Sequence, residues 1–353
     1  MKTRLMCLLL CLTALCGAVC AEEAKTSLPF WMEDSPALRS ILDFVQQVTD
    51  ETSPAYLPPE ERIAVFDLDG TLYGERFPTY FDTCLFLHRA LHDPDCVPEK
   101  EVRDWALAAE KALLNGEAEP ESPRSTAQMA AELFAGFTVE EYRAYVRAFM
   151  QTPAVGFEGM TYAEGFYQPM AALVEYLAEQ GFVIFVSTGS ERTLARELMA
   201  GGLDRWVPPY RVIGSTFSLK ASGQGGKEGR SYTLSPEDEV LMEGNLTFKN
   251  QKMNKVITII QEIGQAPVLV FGNSSGDHAM AQYALRHGGR GYMLLCDDTE
   301  RDHGDLKTAE EFRKACEAMG LETISMRDDF AAIYGEGVRI TDYSPAEALQ
   351  PAA

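Results

Sequence analysis

The stretch "IAVFDLDGTLYGE" at residues 63–75 decides the fold. Ile63, Ala64, Val65 and Phe66 form an apolar run with no polar alternation, the pattern of a strand covered on both faces of a parallel sheet. Asp67 and Asp69 follow where that strand opens into a loop. Side chains two apart on an extended segment point the same way, so both carboxylates face one small volume. Like charges that close repel, and one pKa rises, unless a cation or a proton lies between them. The pattern predicts a metal site, an acid/base pair, or both.

Outward from this strand the organisation is α/β. Residues 76–152 read as helical throughout, in segments such as "YFDTCLFLHRALHD" and "TVEEYRAYVRAFMQ", with no strand signal between them. Strands return at "GFVIFVSTGS", "YRVIGSTFSLK", "APVLVFGN" and "GYMLLCDD", alternating with helical segments, while "ASGQGGKEGRS" reads as an exposed turn. The expectation is a doubly wound parallel sheet, with a core over 61–75 and 153–340, an all-helical cap inserted over 76–152, a lead-in over 22–60 and a tail over 341–353.

In open parallel sheets ligands bind outside the carboxyl ends of the strands. Three such ends carry chemistry: "FDLDGT" (66–71), "VSTGS" (186–190) and "FGNSSGD" (271–277). Carboxylates suit a hard divalent cation. Ser187 and Thr188, at the mouth of the next helix, offer hydroxyls and backbone N–H groups to an anion. Lys255 opens the helix that precedes "APVLVFGN", on the side where it can reach the acids; Lys252 and Lys249 are alternatives. Tyr73, Glu75 and Arg76 follow the acids closely and are candidates for the pocket wall. All five histidines are weak candidates, and His278 is read as a packing residue.

"DLDGT" resembles the first motif of the haloacid dehalogenase superfamily, "VIFVSTG" the second, Lys255 the third and "GNSSGD" the fourth. More narrowly, "NKVITIIQEIGQAPVLVFGNSSGD" is similar to bacterial members close to phosphoserine phosphatase-like enzymes. The resemblance implies that Asp67 is a nucleophile forming an aspartyl-phosphate, that Asp69 is the general acid and base, and that Lys255 offsets the charge. It implies Mg²⁺ held by Asp67, Asp69, Asn273 and Asp277, and phosphate held by Thr71, Ser187, Thr188 and Gly189. Superfamily dehalogenases lack the second acid, since halide leaves without a proton, so Asp69 points to phosphate transfer. The chain departs from the pattern at Asn273, where an aspartate is usual; the lost charge predicts that Asn273→Asp tightens Mg²⁺. The implied activity is hydrolysis of a small phosphorylated metabolite. A phosphotransferase or mutase, and a non-catalytic binding protein on the same fold, are the other readings.

The formal net charge of −22 over 353 residues excludes a basic stripe for nucleic acid and disfavours an anionic membrane surface. "MKTRLMCLLLCLTALCGAVCAEEA" reads as a secretory signal cleaved after Ala21, which predicts export to the periplasm without stable membrane insertion; lipid attachment at Cys20 is the lesser alternative. Beyond the signal lie Cys84, Cys96, Cys296 and Cys316, either paired as Cys84–Cys96 and Cys296–Cys316 or free. The sequence is silent on oligomeric state.

Overall fold

A computed structural model describes residues 27–343. The signal read at residues 1–21 lies outside the described residues. Ser35 caps α1 (Pro36–Thr49): its Oγ accepts from Leu38 N at 3.0 Å, and proline occupies the first turn. β1 (Ile63–Phe66) is buried along its whole length. The chain then builds α2 (Phe81–Leu91), α3 (Lys100–Leu114), α4 (Thr126–Leu133) and α5 (Val139–Met150). It re-enters through β2 (Phe157–Glu158), α6 (Gln168–Glu179), β3 (Val183–Glu191), α7 (Arg192–Met199), β4 (Val212–Ala221) and β5 (Val240–Phe248). Next come α8 (Met253–Thr258), which runs on into a wide turn over Ile259–Ile263, β6 (Leu269–Gly272), α9 (His278–Arg286) and β7 (Arg290–Leu295). α10 (Leu306–Ala318), β8 (Glu322–Ser325), α11 (Met326–Asp329) and β9 (Arg339–Ile340) follow.

The main sheet has the order β5-β4-β3-β1-β6-β7-β8 and is parallel except for the antiparallel β4–β5 pair. β1 is central, with Phe66 level with Val186 of β3 and Phe271 of β6. The chain winds one way from β1 through β3 and β4, then crosses to β6 and winds the other way. The crevice of a doubly wound sheet therefore opens at the carboxyl end of β1, where the winding reverses. The architecture is the expected α/β class with helices inserted after the first strand.

β5 was not foreseen. Its sequence "VLMEGNLTF" is interrupted by Glu243, Gly244 and Asn245, which blurs the period-2 signal. The strand forms because β4 pairs one edge and the inserted helices cover the other. Met242 N donates to Phe137 O (2.8 Å), and Gly136 N donates to Met242 O (2.9 Å). That contact shields an edge that would otherwise present unpaired N–H and C=O groups.

The insert is tied to the core in two further ways. Phe81 and Phe149 pack in a ring cluster with Tyr73, Phe77 and Tyr162, and this cluster belongs to the main core. Glu197 of α7, 4% exposed, accepts from Arg143 Nε (2.5 Å) and Arg147 Nη1 (2.6 Å) of α5. Farther out, Phe86, Leu87, Ala106 and Met129 give the insert an apolar cluster of its own.

Cys84, Cys96, Cys296 and Cys316 are all free, so neither sequence-local pairing forms. Cys84 is instead buried within the insert, on α2, its Sγ donating to Phe77 O at 3.1 Å. Among the described residues no helix is long and apolar enough to cross a membrane.

Candidate active site

The loop after β1 turns sharply at Gly70, whose φ of +78° lies in the left-handed region. A Cβ there would stand 1.9 Å from Asn273 Nδ2 and 2.6 Å from Glu75 Oε2. Glycine is thus required twice, for its backbone and for the close approach of the fourth-motif loop.

Around this turn the acids converge. Lys255, in the first turn of α8 and 2% exposed, places Nζ 2.5 Å from Asp67 Oδ1 and 2.6 Å from Asp277 Oδ1. Asp277 Oδ2 accepts from the backbone N–H groups of Asn273 (3.2 Å) and Ser274 (3.1 Å), which closes the loop after β6. Of the three candidate lysines, Lys255 is the one that bridges the acids. Lys249 Nζ donates to Gly189 O at 2.8 Å from the cleft wall. Lys252, at φ +55°, meets the fourth loop through its backbone N–H, which donates to Gly276 O.

Asp69 is oriented by the β3 loop. Its Oδ2 accepts from Ser190 Oγ (2.7 Å) and Thr188 Oγ1 (3.2 Å), while its Oδ1 is buried with no hydrogen-bond partner. Burial, then the charge of Asp82, pushes the Asp69 carboxyl up to about 6, against the hydrogen bonds from Ser190 and Thr188. Burial, then the Asp277 charge, also raises Asp67 well above the usual carboxylate range, although Lys255 opposes this. For Lys255, burial works against the ammonium, and Asp277 and Asp67 more than offset it, so its pKa is raised.

The cleft over these groups has a volume of about 110 Å³ and is lined by Asp67, Asp69, Gly189, Ser190, Lys255, Asn273 and Asp277 among others. Ser187 and Thr188 are fully buried behind it. Ser187 Oγ accepts from Asn250 Nδ2 at 3.1 Å, and Thr188 supports Asp69, so the hydroxyl at the cleft from this loop is that of Ser190. Thr71 is likewise buried, with Oγ1 donating to Asn273 Oδ1 at a long 3.5 Å.

Next to the cleft, and sharing Tyr80, Asn273 and Ser274 with it, lies a chamber of about 900 Å³. Glu75 and Arg76 line it, as their position suggested, together with His303 and Tyr343 from the far end of the chain. Tyr73 does not. It is fully buried in the ring cluster, with Oη donating to Tyr162 O at 2.6 Å. His278 is a packing residue, stacked on Phe312 with ring centroids 5.3 Å apart.

Sequence reasoning missed Asn250, Ser190, Tyr80 and Asp82. Asn250 is fully buried; its Nδ2 donates to Ser187 Oγ and Thr188 O, and its Oδ1 accepts from Thr258 Oγ1, so it joins the β3 loop to α8. No periodicity marks a lone asparagine between a strand and a helix. Ser190 did carry a signal, as a hydroxyl in the quoted "VSTGS" loop.

Fold and site together define a doubly wound α/β protein with a lysine-bridged acidic crevice at the switch point of its sheet, beside an inserted helical cap. Residues 64–282 match the model of the family described as haloacid dehalogenase-like hydrolase, and the chain belongs to that family. No curated protein matches it. Among solved structures it is similar to a conserved protein of unknown function from Anaerococcus prevotii, at 15% identity over 81% of this chain and 91% of that one, TM-score 0.48. It is also similar to cytosolic 5′-nucleotidase IIIB bound to cytidine (13% identity, 81% and 84% covered, TM-score 0.46). A third is a probable phosphoserine phosphatase from Vibrio cholerae (12%, 79% and 63%, TM-score 0.40).

The residues fit a hard divalent cation. Asp67, Asp69 and Asp277 are buried around the ammonium that bridges two of them, so carboxyl groups outnumber it, and Asp69 Oδ1 is buried without a hydrogen-bond partner. Among the described residues no three His, Cys, Asp or Glu side chains are by themselves arranged to hold a metal ion. Lys255 stands between Asp67 and Asp277, and Asn273 lines the same cleft.

Proposed function

We propose that the protein is a Mg²⁺-dependent phosphomonoesterase that acts on a small phosphorylated metabolite through an aspartyl-phosphate. The observation that carries this reading is Lys255 bridging Asp67 and Asp277 beside an Asp69 held by Ser190. Asp67, the Asp69 carbonyl, Asn273 and Asp277 would hold the metal, which supplies Lewis-acid stabilisation of phosphate charge when bound.

An oxygen of Asp67 attacks phosphorus and the bond to the ester oxygen breaks. Asp69, with its carboxyl near 6, gives its proton to the departing alkoxide. Water then attacks the aspartyl-phosphate, its proton passes to Asp69, and inorganic phosphate leaves with Asp67 restored. Lys255 fixes Asp67 for in-line attack and shares the developing charge. The chamber beside the cleft would take the organic half, and the cap with Tyr80 would limit its access to water.

The test is phosphate release from p-nitrophenyl phosphate and a panel of metabolite phosphates, with and without Mg²⁺ and with no acceptor alcohol. Phosphate release that needs Mg²⁺ and Asp67 supports hydrolysis. Turnover that needs an added alcohol would instead indicate a phosphotransferase. The leader at residues 1–21 supports periplasmic export, which amino-terminal sequencing of the mature chain tests.

A further inference from the structure

Asn273 occupies the position where the resembling motif usually carries aspartate, and an amide can coordinate a cation only through its oxygen. Here the amide is not free to turn. Asn273 Nδ2 donates to Glu75 Oε2 at 2.8 Å, so the NH₂ group must face the carboxylate. Oδ1 then points to the other side, toward Thr71 Oγ1. Both partners pack over the bare Cα of Gly70, where a Cβ would fall within 2.6 Å of each.

We infer that Glu75 is a positioning residue: it holds the Asn273 amide so that Oδ1 faces the cation, and the Glu75–Asn273 pair replaces the single aspartate of the usual motif. This rests on the divalent-cation reading of the site. It also reverses the simple charge argument for Asn273→Asp. In this structure that change sets two carboxyl groups at hydrogen-bond distance. The added charge is then opposed by Glu75 and does not tighten Mg²⁺. The swapped pair Glu75→Gln/Asn273→Asp restores one hydrogen bond with its polarity reversed and leaves the charge on the ligand.

The experiment is calorimetric titration of the full chain with MgCl₂, paired with thermal unfolding in EDTA, on the native protein and four variants. Glu75→Ala is expected to weaken Mg²⁺ binding about tenfold or more, as loss of a partner that orients a ligand does. Glu75→Gln, whose Oε1 still accepts from the amide, is expected to stay within about twofold. Asn273→Asp is expected to bind no more tightly than native and to unfold at a lower temperature in EDTA. The double variant should bind more tightly than native and recover the unfolding temperature. Unchanged binding in Glu75→Ala overturns the inference, as does Asn273→Asp tightening Mg²⁺ as much as the double variant. If Glu75→Gln weakens binding as much as Glu75→Ala, charge and not orientation is the role, and the inference also fails. A native protein that binds no Mg²⁺ overturns the metal reading itself, whereas a flat mutant cycle on a protein that does bind it overturns the pairing alone.

Discussion

Lys255 Nζ stands 2.5 Å from Asp67 Oδ1, 188 positions away along the chain, and both groups are more than nine-tenths buried. Removing the ammonium leaves Asp67 and Asp277 facing each other without a cation. Loss of one member of a buried ion pair typically costs about 3–5 kcal/mol. Lys255→Met is expected to lower the stability of the metal-free protein by that order, measured by urea denaturation in EDTA. Adding Asp67→Asn should recover a large part of the loss. An unchanged midpoint for Lys255→Met would contradict the bridge.

The Asp69 carboxyl near 6 sets a pH signature. Its protonated form, needed to release an alkoxide, is lost as pH rises through that value. The ratio of kcat/KM for an alkyl phosphate to that for p-nitrophenyl phosphate is expected to fall up to about tenfold per pH unit above 6, because nitrophenolate departs without a proton. A ratio independent of pH from 5 to 8 would remove Asp69 from the leaving-group step.

Gly70→Ala combines a left-handed φ of +78° with contacts of 1.9 Å and 2.6 Å to Asn273 and Glu75. Strain of this type costs about 1–3 kcal/mol. The variant is expected to lose that much stability in chemical denaturation and to weaken Mg²⁺ binding, since the fourth loop must shift. Native-like behaviour in both would show that the turn is not tightly packed.

Glu197 accepts two guanidinium groups from α5 while buried on α7. Glu197→Ala removes both anchors, at a cost of about 1–3 kcal/mol. Hydrogen exchange is expected to rise in α5 before it rises in the sheet. If protection of α5 is unaltered, the ring cluster alone holds the insert down.

The sequence by itself determined what local periodicity can encode. The apolar run 63–66 set the central strand, the helical spacing over 76–152 set the insert, and the loops ending at 71, 190 and 277 set which strand ends carry chemistry. Two carboxylates two apart on a strand share a face whatever surrounds them, so the acidic crevice was readable from a pentapeptide.

The resemblance favoured Lys255 over Lys249 and Lys252, and the tertiary structure set its ammonium between Asp67 and Asp277, because reach depends on how α8 is rotated over the sheet and not on spacing along the chain. It replaced Ser187 with Ser190 at the cleft and sent Tyr73 into the core. It paired β5 with β4 and left the four cysteines unbridged. Above all, it set Glu75 against Asn273 across 198 positions. Such pairings are fixed by the packing of elements distant in sequence, whose energetics no local pattern records.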